Sequence, residues 1–168
     1  MVALLLKEQV EQLFASSLVV GIMLLVTGLV LYAVEKRAAA GRSTEPSLQD
    51  ALLIGCGQAA AIVPGLSRSG TTIAVGLLRG LDRESAARFS FLLSVPAILG
   101  ALALSLVDLF GGAVHHGAGV LSAGLVSAAV TGYLAIRFFL RLVRRGKLIW
   151  FSYYTWLVGA VVIIVHLL

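Results

Sequence analysis

The sequence predicts an all-α integral membrane protein with four transmembrane helices and one re-entrant helical hairpin. Three observations carry that prediction. First, 60% of the 168 residues are hydrophobic and only 12% are charged. That is about half the charged share of an ordinary soluble domain, too little to cover a water-facing surface, and the mean hydropathy is +1.02. Second, apolar runs recur at the length of about 20 residues that a helix needs to cross hydrocarbon. Third, one of those runs is broken in its middle by Pro64-Gly65 and carries the permanently charged Arg68.

The elements follow in order as one polytopic domain over residues 1–168. Val2–Gln12 reads either as a short helix or as the remnant of a longer element. The first span is 13–35, because Leu13–Val34 carries no charge and ends at Glu35-Lys36-Arg37. A polar cytoplasmic linker, 36–50, holds Arg42, Glu45 and Pro46. The broken segment is 51–79. After a polar turn through Arg83 comes a span over 88–109, with Pro96 inside it. Gly111-Gly112 and His115-His116-Gly117 form a loop before the span 119–141. A basic turn with Arg141, Arg144, Arg145 and Lys147 leads to the last span, 148–168. The lone cysteine, Cys56, cannot close an internal disulfide. No signal peptide is read, since the first apolar stretch lacks a small-residue cleavage site and more spans follow. The formal charge of +5 sits between apolar runs, which marks membrane-flanking charge and excludes a nucleic-acid partner.

Lys and Arg in short loops set orientation. If 51–79 crossed the membrane, the basic residues of the loops would divide seven to three between the two faces. If it dips in and returns, the linker, the Arg79–Arg88 turn and the Arg141–Lys147 turn share one face, which then holds ten of them. The positive-inside bias selects the hairpin, entering from the cytoplasm. Irregular backbone at membrane depth persists only where it is buried in protein or lines a watery cavity. The tip is therefore expected to line a polar pocket open to the extracytoplasmic side.

The tip reads Pro64-Gly65-Leu66-Ser67-Arg68-Ser69-Gly70-Thr71-Thr72. Proline disfavours helix in the residue before it, and glycine permits unusual dihedrals. Ser67 or Ser69 can cap the second half-helix, leaving free N–H groups at the positive end of its dipole. Arg68 adds a guanidinium whose fork matches phosphate oxygens. Hydroxyls, amides and an arginine together predict a phosphate site. Against this stands a bracing role, in which Arg68 neutralises a buried carboxylate or ties carbonyls together. A membrane arginine is functional by default, since it costs roughly 2.5–3.5 kcal/mol to insert, and its one candidate partner within the membrane, Asp108, sits at a span end, where an interfacial place is expected. Gln58, six residues before Pro64, either orients a ligand or packs in the core. His115-His116 reads as a solvated turn in preference to a metal site, and His166 as interfacial. Trp150, Tyr153, Tyr154 and Trp156 read as headgroup anchors. The Arg141–Lys147 cluster sets topology and touches anionic lipid.

Gly55-Cys56-Gly57-Gln58 running into the tip resembles the PGxSRSGxT signature of the bacterial undecaprenyl-diphosphatases of the bacitracin-resistance type. Phe89-Ser90-Phe91-Leu92-Leu93, with Pro96 and Gly100-Ala101, resembles the helix that follows in that family. The resemblance implies hydrolysis of undecaprenyl diphosphate to the monophosphate outside the bacterial inner membrane, recycling the lipid carrier for peptidoglycan. It implies Arg68 and Ser67 as catalytic, with Ser67, Arg68, Ser69, Gly70, Thr71 and Thr72 binding phosphate, and Gln58, Pro64 and Gly65 in support. It also implies Mg²⁺ or Ca²⁺, and an architecture of two inverted repeats. The family's first-repeat motif, Glu-x-x-x-Glu followed by Pro-x-Ser-Ser-x-x-His, is absent: Glu8 and Glu11 have the wrong spacing, and no metal ligands are assignable. The chain reads as the second repeat plus a preceding span. The alternatives are a transporter or flippase of a phosphorylated lipid, or an inactive half that needs a complementing first-repeat half. The expected partners are a polyprenyl diphosphate, the bilayer, and either a second copy or that half.

Overall fold

The computed structural model describes residues 16–37, 43–110, 118–144 and 148–167. Six helices follow among them: α1 Ser17–Arg37, α2 Leu48–Ala60, α3 Arg68–Leu78, α4 Arg83–Phe110, α5 Ala118–Arg144 and α6 Leu148–Leu167. The only β contact among the described residues is a single bridge between Ser43 and Leu81. Helices α1, α4, α5 and α6 are long and apolar enough to cross a membrane. The fold is that of an all-α, multi-pass membrane protein. Val2–Gln12, His115-His116, Arg145 and Lys147 lie outside the described residues, as does the side chain of Asp108.

Helices α2 and α3 hold 13 and 11 residues. At 1.5 Å per residue they reach about 20 and 16 Å, short of the ~30 Å hydrocarbon core. They form a helical hairpin. Gly57 of α2 lies so close to α3 that a Cβ there would stand 3.1 Å from Val75 Cγ2. The two ends of the hairpin meet at its base: Ser43 N–H donates to Gly80 O and Asp82 N–H donates to Ser43 O. Arg79 Nε, just beyond α3, donates to Asp50 Oδ1 in the first turn of α2 at 2.7 Å.

Caps explain why helix ends fall where they do. Ser47 and Asp50 form a reciprocal capping box, so α2 begins at Leu48, inside the stretch expected to be linker. Asp82 Oδ1 accepts from the N–H groups of Glu84 and Ser85, and α4 begins at Arg83, five residues before the expected start of that span. α3 ends in a Schellman motif: Leu81 N–H reaches Gly76 O, Gly80 N–H reaches Leu77 O, and Gly80 has φ +89°.

The core sits at the hairpin's base, where all six helices converge. Val34, Ile54, Leu77, Ala87, Val143 and Leu148 come from α1 to α6 in turn, and all are buried. Ion pairs tie the same end: Arg83 Nη1 to Glu35 Oε2 at 2.7 Å, and Glu84 to both Arg88 and Arg144. α1 and α6 run antiparallel in close contact through Gly21, Gly28 and Gly159, where added Cβ atoms would meet Ile163, Trp156 and the Gly21 carbonyl. Small residues permit such approach in lipid. Trp156 belongs to this seam, donating from Nε1 to Leu25 O at 3.0 Å and packing against Tyr32. Trp150, Tyr153 and Tyr154 remain exposed.

Candidate active site

The tip is built on a tight turn. α2 stops at Ala60, and Leu66 N–H then bonds to Val63 O at 3.2 Å. Pro64 and Gly65 occupy the two central positions of that turn, with Gly65 at φ +87°, the type II arrangement that requires glycine third. Gly65 also lies against α1, where a Cβ would stand 2.4 Å from Val20 O. Ser67 caps α3: its Oγ accepts from Gly70 N–H at 3.1 Å. The N–H groups of Arg68 and Ser69 find no acceptor among the described residues. They are left pointing out of the helix's positive end.

The depth of this tip is fixed by Thr27, the central residue of the 21 in α1. Thr27 Oγ1 donates to Gly65 O and accepts from Ser67 N–H, both at 3.1 Å. The tip therefore lies halfway along a spanning helix, while the hairpin's base is level with Glu35 near that helix's end.

The structure brings Arg68, Ser69 and the cap residue Ser67 together at the tip. Arg68 is exposed, and among the described residues no carboxylate pairs with it. A pocket of about 260 Å³ lies beside it, lined by Arg68, Ser69, Ser90, Phe91 and Ser94. Ser69 also borders a second cavity of about 260 Å³, with walls from Leu24, Leu31, Ile73, Phe139 and Phe151 and hydroxyls from Thr27, Ser67 and Thr155. The two pockets differ in character, one cationic and hydroxyl-rich, the other largely apolar.

Other residues singled out from the sequence are placed away from the open tip. Thr71 Oγ1 donates back to Ser67 O. Thr72 is 1% exposed, and its hydroxyl contacts Arg68 O, Ser69 O and Ser90 Oγ, the last at 2.6 Å, so it joins α3 to α4. Gln58 Nε2 donates to Leu93 O at 3.4 Å, close to the turn that Pro96 deprives of an N–H. Its Oε1 is buried without a partner among the described residues. Gln58 thus braces α2 on α4. Pro64 is buried in the turn. Two groups were missed in the sequence. Thr27 is a lone threonine in a run of Leu, Val and Gly, and Ser90 and Ser94 share a helix face at i and i+4.

Among the described residues no three His, Cys, Asp or Glu side chains gather as a metal site. Asp50, Glu35 and Glu84 are each committed to arginine. A divalent cation therefore does not fit this tip on the groups described. At the base, the Ser47 hydroxyl, then Arg79, hold the Asp50 carboxyl below the usual carboxylate range. Burial pushes Asp82 upward, but hydrogen bonds from Ser85 and Glu84 outweigh it and leave that carboxyl lowered too.

The chain is similar to known proteins over nearly all of its length. A family model described as "Bacitracin resistance protein BacA" matches residues 1–161. A protein of Methanothermobacter thermautotrophicus named undecaprenyl-diphosphatase is 45% identical over 163 residues, 95% of this chain and 90% of that one. Proteins of the same name from Methanobrevibacter smithii and Carboxydothermus hydrogenoformans are 47% and 41% identical. This chain covers 59% and 63% of their lengths.

Proposed function

The chain belongs to the BacA family, and from that membership we propose that it is an undecaprenyl-diphosphate phosphatase, releasing inorganic phosphate and leaving the lipid monophosphate. The observation that carries the reading is Arg68. It stands at the N-terminus of α3, at the mid-depth of α1, with no acid paired to it among the described residues. A guanidinium in lipid needs a partner, and a diphosphate supplies one whose paired oxygens fit its fork. The N–H groups of Arg68 and Ser69 add two donors along the helix dipole. Ser67 Oγ accepts from Gly70, which leaves its own proton free to donate to a phosphate oxygen. These donors act on charge that builds on the phosphoryl oxygens as the anhydride bond breaks, the kind of fixed electrostatic help that lowers such barriers. The apolar cavity bordering Ser69 supports an amphiphilic substrate over a free nucleotide.

The hairpin is read as re-entrant from the cytoplasmic face of a bacterial inner membrane, its tip opening outward, where the released carrier would return to peptidoglycan synthesis. The ten basic residues on one side support that orientation. Mg²⁺ or Ca²⁺, which the family resemblance implies, has no ligand set among the described residues.

The test is phosphate release from undecaprenyl diphosphate by the purified chain, with and without Mg²⁺, beside Arg68→Ala. Release by the wild type and its loss in the variant are expected. Full activity in Arg68→Ala sinks the reading, and transport of the lipid with no phosphate released replaces it with a carrier.

A further inference from the structure

We infer that Thr27, on the spanning helix α1, is a positioning residue for the anion site, setting the direction in which α3 presents its free N–H groups and Arg68. The inference rests on the proposed diphosphate site. A threonine inside a helix ordinarily turns its hydroxyl back to the carbonyl one turn earlier. Thr27 does not. Its hydroxyl leaves the helix to donate to Gly65 O and accept from Ser67 N–H, at 3.1 Å each, across 38 and 40 residues of sequence. The residue is 2% exposed.

The two bonds bracket Leu66, the link between the Pro-Gly turn and the helix cap. Neither Gly65 O nor Ser67 N–H has another partner among the described residues. Regular ladders do not hold this stretch, which runs from a tight turn straight into a helix cap. Thr27 bonds the backbone at both ends of it. Ser67 is the cap residue of α3, so its backbone direction fixes where the Arg68 and Ser69 N–H groups point. A shift of the tip by a fraction of its bond lengths moves three donors together.

The experiment measures binding of inorganic diphosphate to the full purified chain in detergent micelles by calorimetry. It therefore does not depend on turnover. Thr27→Val keeps the shape and removes the hydroxyl; its dissociation constant should rise about tenfold or more, the order that small misplacement of binding groups produces. Thr27→Ser restores the hydroxyl and should stay within about threefold of wild type. If Thr27→Val does not assemble, Thr27→Ala against Thr27→Ser makes the same comparison, since both lose the methyl and only one loses the hydroxyl. Ser122→Ala, which removes an exposed hydroxyl bonded within α5, should bind as wild type. Val binding like wild type, or Ser binding as poorly as Ala, overturns the inference. A lowered melting temperature with unchanged affinity of the folded chain overturns it too, because packing alone predicts that result. Arg68→Ala reports separately on the site. If the wild type binds no diphosphate, or Arg68→Ala binds it as well as wild type, the underlying reading falls, whereas a silent Thr27 series beside a damaged Arg68→Ala fells only the positioning role.

Discussion

Arg68 and Gly65 sit three residues apart and make different demands on the chain. Arg68 has its charge where the backbone has just left one helix and begun another, so its guanidinium and the α3 dipole act on the same volume. Lysine there keeps the charge but loses the planar fork. Arg68→Lys should retain measurable phosphate release, reduced by about ten- to a hundredfold, the loss of one to two well-placed donors, while Arg68→Ala should fall further; side-by-side release rates check the order. If lysine matches arginine, the site needs only a point charge. Gly65 is constrained twice over, by φ +87° and by the 2.4 Å that would separate a Cβ from Val20 O. A left-handed conformation alone costs a side chain about 1–2 kcal/mol, and contact with backbone on α1 leaves no flexible neighbour to yield. Gly65→Ala should therefore lower the melting temperature and lose diphosphate binding together. An alanine variant as stable as wild type would show that the tip does not rest on α1.

The hairpin works as an element because its base is clasped. Asp50 at the foot of α2 binds Arg79 beyond the end of α3, and Ser47 holds the same carboxylate. These bonds lower the folded pKa of Asp50 below the unfolded value of about 3.9. Its contribution to stability is therefore fully present above about pH 4 and is lost as pH falls through the folded value. Thermal melting should be flat with respect to Asp50 at neutral pH and should drop in acid, and Asp50→Asn should be weaker at neutral pH with a shallower acid limb. An unchanged acid limb in the variant would move the acid sensitivity to Asp82, whose carboxyl is lowered as well. How far this element could be read in advance differs residue by residue. The tip was legible because Pro64, Gly65, Ser67 and Arg68 act through local rules: turn, left-handed glycine, cap, charge. The helix starts were not, since Ser47 and Asp82 lie in polar stretches that look like linker until their caps are seen. Thr27 and Ser90 were hidden for another reason. Their partners are 38 and 18 or more residues away, and no local pattern encodes a contact of that range.

Across the whole molecule, burial is uneven in a way that bears on orientation. The core and the ion pairs gather at the end that carries Glu35, Asp50, Arg79, Arg83 and Arg144, while α4 and α5 expose Leu92, Leu125 and Phe138 along their length, as lipid contact requires. On the proposed orientation this end is cytoplasmic, the side that Lys and Arg favour; the clasp fastens the hairpin's foot at that end, and Thr27 holds its tip halfway to the other. The charge bias alone carries this proposed orientation, since the clasp and the depth set on α1 hold either way up, and it predicts a tip reached only from outside. That is directly measurable. In a Cys56→Ser background, a cysteine replacing Leu66 at the tip should react with a membrane-impermeant maleimide added to intact cells. A cysteine replacing the exposed Thr44 at the foot should react only after the membrane is opened. Labelling of Thr44→Cys from outside, with Leu66→Cys protected, would invert the molecule. The diphosphate site would then face the cytoplasm, and the proposed role in recycling a carrier from the outer leaflet would have to be given up even if Arg68 still binds phosphate.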